Sequence, residues 1–161
     1  MRYLISVIFI LYSGVVLSES IVPYCRGSDG EKVSFLPTRG QILNSLGFAV
    51  AVAGISPLDG SRVIHYDRKG LEGLNKDFVR FCLLHDCAHH ALGHIRYNKR
   101  FVQNDEEMER DADCYARKRV EMSGGDMEVV YRTLRDKKSM KKLHAGLHDL
   151  SGRIRDIKRC Y

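Results

Sequence analysis

A chain of 161 residues, 44% of them hydrophobic, has room for one packed domain and not two once a targeting segment is set aside. Its net charge of +6 and sequence pI near 9.1 suit an anionic partner, but few aromatics are interleaved with the cations, which argues against nucleic acid. No C-x-x-C pair occurs, which argues against a structural zinc cluster.

In chain order, Arg2 and the apolar stretch Tyr3 to Leu17, followed by the small residues Ser18 and Ser20, read as a signal peptide over residues 1–20. The run is shorter than the roughly 20 residues of a bilayer span, so cleavage near Ile21 and a secreted or periplasmic location are expected. An uncleaved N-terminus anchoring the chain to a membrane is the alternative. All five cysteines (Cys25, Cys82, Cys87, Cys114 and Cys160) follow that point, and an oxidising compartment would make two disulfides and leave one thiol. Cys25 with Cys160 would tie the ends of the mature chain together, and Cys87 with Cys114 would brace the chemistry-bearing segments. Sequence alone leaves the pairing open.

Residues 21–46 are expected to form a leader, mixed and polar through Thr38, ahead of an α+β domain over 47–161. Gly47 to Ile55 is small and β-branched, Pro57 to Gly60 is a turn signal, and Arg62 to Tyr66 reads as a second strand, so a hairpin opens the domain. From Asp77 the hydrophobic period becomes helical through Leu92, with Asn75 or Asp77 as N-cap and Gly93 as the stop. Further helices are predicted near Asn104–Met122, Met127–Arg135 and Ser151–Arg159. The C-terminal third is rich in Lys and Arg, which suits an anionic surface or, more simply, solvated helix faces.

The segment FCLLHDCAHHALGH carries His85-Asp86-x-x-His89. On a helix, positions i and i+4 share a face, so both imidazoles can reach one ion, and Asp86 is placed to orient and deprotonate an attacking water. A second helix supplies Glu109 and Asp113, again four apart. A two-His-plus-Glu zinc site, one ion per chain, takes its third ligand from a different element, which makes Glu109 the candidate. Asp113, one turn on, is placed to accept the second ring N–H of a liganding histidine.

These residues resemble the gluzincin zinc peptidases, and most closely the branch of CAAX prenyl proteases and heat-shock membrane proteases, which carry H-E-x-x-H on one helix and E-x-x-x-D on the next. Here the second motif stands as ERDADCYA, Glu109 to Ala116. The resemblance implies a minimal zincin-like domain without the membrane helices of those proteases, a zinc cofactor, and a peptide or protein substrate. It makes RVIHYDRKGLEGL the active-site edge strand and its continuation, so an extended substrate is expected along Val63, Ile64 and His65. The family's base is Glu, whereas this chain has Asp86, one methylene shorter. Near the end, His148 and Arg153-Ile154 are similar to the family's closing H-P…R-I element, without its proline.

Of the remaining histidines, His90 and His94 are expected in surface or packing roles, because Leu92 occupies the glycine position of a metzincin pattern and His94 comes one residue early. His65 is a candidate to line the cleft. His144 and His148 are candidates to stabilise an oxyanion, His148 ahead. Two rival readings are an HD-domain phosphohydrolase, whose LLHD-x-x-H signature LLHDCAHHALGH also resembles, and a secreted binding module that keeps a weakly catalytic or inert zinc site.

Overall fold

The computed structural model describes residues 22–45, 50–95, 105–142 and 150–160. The expected signal peptide, Gly47 to Ala49, His144 and His148 lie outside them. In chain order, β1 (Ser34–Pro37) and α1 (Gly40–Ser45) precede the strands β2 (Ala51–Ile55) and β3 (Arg62–Tyr66) and the short α2 (Arg68–Leu71). Five helices follow: α3 (Lys76–Ala91), α4 (Glu106–Met122), α5 (Met127–Arg135), α6 (Lys137–Lys142) and α7 (Leu150–Arg159). The class is α+β.

The hairpin forms as its turn chemistry dictates. Ser56 N–H donates to Ser61 O at 2.9 Å, and Gly60 adopts φ 74°, a left-handed conformation that a side chain would strain. Ala53 stands opposite Ile64, and both pack toward Cys25 and Cys87 on the face that meets α3. The sheet order, β1-β3-β2, corrects the sequence reading. β1 pairs with β3 in parallel, Ser34 opposite Val63 through Pro37 opposite Tyr66. β3 is therefore central, and Val63, Ile64 and His65 have no free edge to offer a substrate. The residues expected as a loose leader instead supply a sheet strand.

α3 starts at Asn75, whose side chain accepts the Asp77 N–H at 2.8 Å. It packs most extensively on α4. Ala88, Ala112 and Ala116 are fully buried on these two helices, and side chains of that size let helix axes approach closely. Phe78, Phe81, Leu84, Val120, Val130 and Ile157 form the main core, which joins α3 and α4 to α5 and α7. No helix among the described residues is long and apolar enough to cross a membrane.

Two disulfides form and Cys82 stays free, but the pairs are Cys25–Cys87 and Cys114–Cys160. Both pairings considered from sequence are thereby corrected. Cys87 lies two residues past His85, so it projects roughly opposite the histidine face, toward the sheet and Cys25. Cys114 instead reaches the end of α7. The basic residues of the C-terminal third divide as well. Arg132, Arg135, Lys137, Lys138 and Lys141 are exposed, whereas Arg153 turns inward.

Candidate metal centre

The α3–α4 contact brings together three of the predicted residues. His85 Nε2 and His89 Nε2 are 3.3 Å apart, and Glu109 reaches across from α4 with Oε2 3.1 Å from His85 Nε2 and Oε1 3.5 Å from His89 Nε2. Ligand atoms held about 2.0–2.1 Å from a tetrahedral ion lie about 3.3–3.4 Å from one another, which is close to the two separations from His85 Nε2, while the contact to His89 comes from the other carboxylate oxygen. The chemistry agrees with the geometry. Two imidazole nitrogens and a carboxylate converge with lone pairs toward one point, an arrangement that repels itself unless a cation or a proton sits there. His85, His89 and Glu109 could hold a metal ion. Glu109 is about one-third exposed at 36%, so one side of the cluster meets solvent.

The ring nitrogens facing away from the cluster are partnered too. His85 Nδ1 is 2.8 Å from Asp113 Oδ1. Arg153, from α7, forks onto Asp113, with Nε donating to Oδ2 and Nη2 to Oδ1, each at 2.7 Å. Asp113 is 4% exposed, and this doubly anchored carboxylate orients His85 from behind. Burial alone would lower the His85 pKa, but the hydrogen bonds to Asp113 and then Glu109 override it and raise it to about 9. Burial likewise opposes ionisation of Asp113, and its hydrogen bond with His85 and the Arg153 charge reverse that and lower its pKa. His89 is 1% exposed; burial, then the neighbouring His85 charge, push it down to about 3.

Asp86 is buried beside His85 and Glu109. Burial raises its pKa to about 6, and a hydrogen bond from the Ala53 backbone partly opposes the rise. Ala53 belongs to β2, the terminal strand of the sheet, so β2 runs beside Asp86. His65 stands on the other face of the sheet from Ile64, its Nδ1 3.0 Å from Thr38 Oγ1, and does not join the cluster. His90 is fully buried with Nε2 2.9 Å from Val63 O, a packing role. Burial pushes the Cys82 thiol up to about 12, which keeps it unreactive at neutral pH.

Two residues of the site were not read as such from sequence. Arg153 figured only in a motif similarity, and nothing local in α7 announces that it turns inward. His94 was placed among packing residues, yet its Nδ1 lies 3.1 Å from His89 Nδ1. Gly93 is the available signal: a glycine closing a helix folds the next residue back over the last turn. Compared with known proteins, the chain matches no family model, no curated protein and no solved structure.

Proposed function

We propose that this protein is a secreted zinc-dependent metalloendopeptidase of the gluzincin type, built on a minimal zincin-like domain, with one zinc per chain held by His85, His89 and Glu109. The observation that carries this reading is the convergence of two imidazole nitrogens and a carboxylate within reach of one ion, with the solvent-facing side left for water and substrate. Zinc, when bound, supplies Lewis acidity toward the scissile carbonyl and lowers the pKa of water toward about 7. Asp86 accepts the proton of the attacking water at its carboxylate and returns it to the leaving amine. Burial holds its pKa above the ordinary carboxylate value, which favours proton uptake. Asp113 and Arg153 hold the His85 ring in its ligand orientation. An extended peptide pairs along β2, since β3 is enclosed. Two disulfides among the described residues suit an oxidising compartment outside the cytosol.

The phosphohydrolase reading is less well supported, because His65, the histidine it would recruit upstream, stands on the far face of the sheet. The inert zinc-module reading differs from the enzyme in one measurement. Elemental analysis of dialysed protein is expected to give about one zinc per chain in wild type, Glu106→Ala and Asp86→Asn, and little in Glu109→Ala. Hydrolysis of unstructured peptides should fall about 10²- to 10⁴-fold in Asp86→Asn. Zinc bound equally by Glu109→Ala would remove that residue from the site, and wild type that binds zinc but cleaves nothing would leave a binding module.

A further inference from the structure

His94 stands just outside the ligand cluster, and its position is built rather than incidental. Gly93 ends the α3 segment with φ 73°, and the chain reverses so that His94 N–H donates to His89 O at 2.9 Å. This backbone bond carries the His94 ring over the last turn of the helix. The ring meets His89 edge-on, with centroids 5.2 Å apart, and Nδ1 faces Nδ1 at 3.1 Å. Two nitrogens at that distance require one proton between them. His89 directs Nε2 into the cluster, so as a neutral ligand it must carry its proton on Nδ1. That leaves His94 Nδ1 as the acceptor, with the His94 proton on Nε2.

We infer that His94 is a positioning residue of the metal centre, fixing His89 in the Nδ1–H tautomer by accepting its hydrogen bond; this rests on the zinc reading above. The role is one that a carboxylate or backbone carbonyl ordinarily fills for a metal-bound histidine. Among the described residues no such acceptor is placed at His89 Nδ1, and His94 is what stands there. A neutral acceptor adds no charge to a cluster that already holds the Glu109 carboxylate and has Asp113 behind it. His94 is placed to orient a ligand, and it does not touch the reacting atoms.

The test is zinc(II) affinity of the purified protein, by chelator competition, for wild type, His94→Leu and His94→Gln. Leu fills space without accepting, and Gln offers a carbonyl acceptor. His94→Leu should bind zinc about 10- to 100-fold more weakly, and His94→Gln should recover most of the loss. Melting temperatures should differ far less among the three chelator-treated proteins than among the zinc-loaded ones, which a packing role alone would not give. In zinc-loaded, ¹⁵N-labelled wild type, a nitrogen–nitrogen coupling across the hydrogen bond should connect His89 with His94, and this decides the matter even if a variant fails to fold. Equal zinc affinity in His94→Leu, or no coupling, overturns the inference while leaving the zinc site standing. Wild type that binds no zinc overturns both.

Discussion

The two histidines of the candidate centre stand one helical turn apart and are moored in opposite ways. His85 is held by a charged chain that runs through Asp113 to Arg153, so its orientation depends on three helices, α3, α4 and α7. His89 is held by an uncharged ring only five residues further along. One ring is therefore fixed by tertiary structure and the other by a local reversal of the chain. The electrostatics follow the same division: with no metal, His85 gathers a proton and His89 is pushed away from one.

The severest way to break this contrast is Asp113→Ala. It would leave the Arg153 guanidinium buried without its partner, which typically costs 3–5 kcal/mol, read by urea denaturation of chelator-treated protein. A comparable loss in His94→Leu would mean that the two moorings are alike after all. A second expectation concerns pH and has opposite signs for the two rings. The His85 pKa is raised on folding, so its contribution is complete below the ordinary value near 6.5 and is lost as pH rises through about 9. The net shift, set by burial, Asp113, Glu109 and Arg153 together, corresponds to about 3 kcal/mol. The His89 pKa is depressed, so stability falls as pH drops below 6.5. Denaturation of the metal-free protein at pH 6 and pH 10, with His85→Gln as the baseline for other titrating groups, should show the alkaline loss in wild type alone. Zinc should abolish the alkaline slope, because His85 then holds no extra proton to lose, and should steepen the acid slope, because both rings must stay deprotonated to bind it. The mildest probe is Arg153→Lys, which keeps the charge and gives up the planar fork. It should cost about 1–2 kcal/mol and leave His89 untouched, as judged by the His89–His94 coupling.

The same division governs what could be read from the sequence. Helical period and caps located α3, α4, α5 and α7 nearly to the residue, with Asn75 and Gly93 marking the ends of the helix that carries both histidines. His85, His89, Glu109 and Asp113 were legible because i, i+4 spacing fixes a shared face, whatever the rest of the chain does. Strand order was not. Ser34–Pro37 is short, largely exposed and ends in proline, and its parallel pairing with β3 is a contact between distant segments that leaves no local mark. That pairing is why β3 was mistaken for an edge. The cysteine pairing was partly within reach, since helix phase already turns Cys87 away from the histidine face. Arg153 was out of reach, because nothing in its own helix says that it meets a carboxylate forty residues earlier.

The disulfides have a further consequence when the chain is considered as a closed graph. Cys25–Cys87 and Cys114–Cys160 do not interleave, so with both intact the unfolded chain is two rings joined by a tether over residues 88–113. His85 belongs to the first ring and Arg153 to the second, whereas His89, Glu109 and Asp113 all ride on the tether. Neither crosslink restricts that stretch directly, so its ordering entropy must be met by noncovalent contacts, by the ion, or by both. Asp113 thereby acts as a clasp, touching a group from each ring at once. A single backbone cut in the tether would leave two separately stapled fragments whose continued association in the folded state depends on that clasp, the packed helix faces and any bound ion.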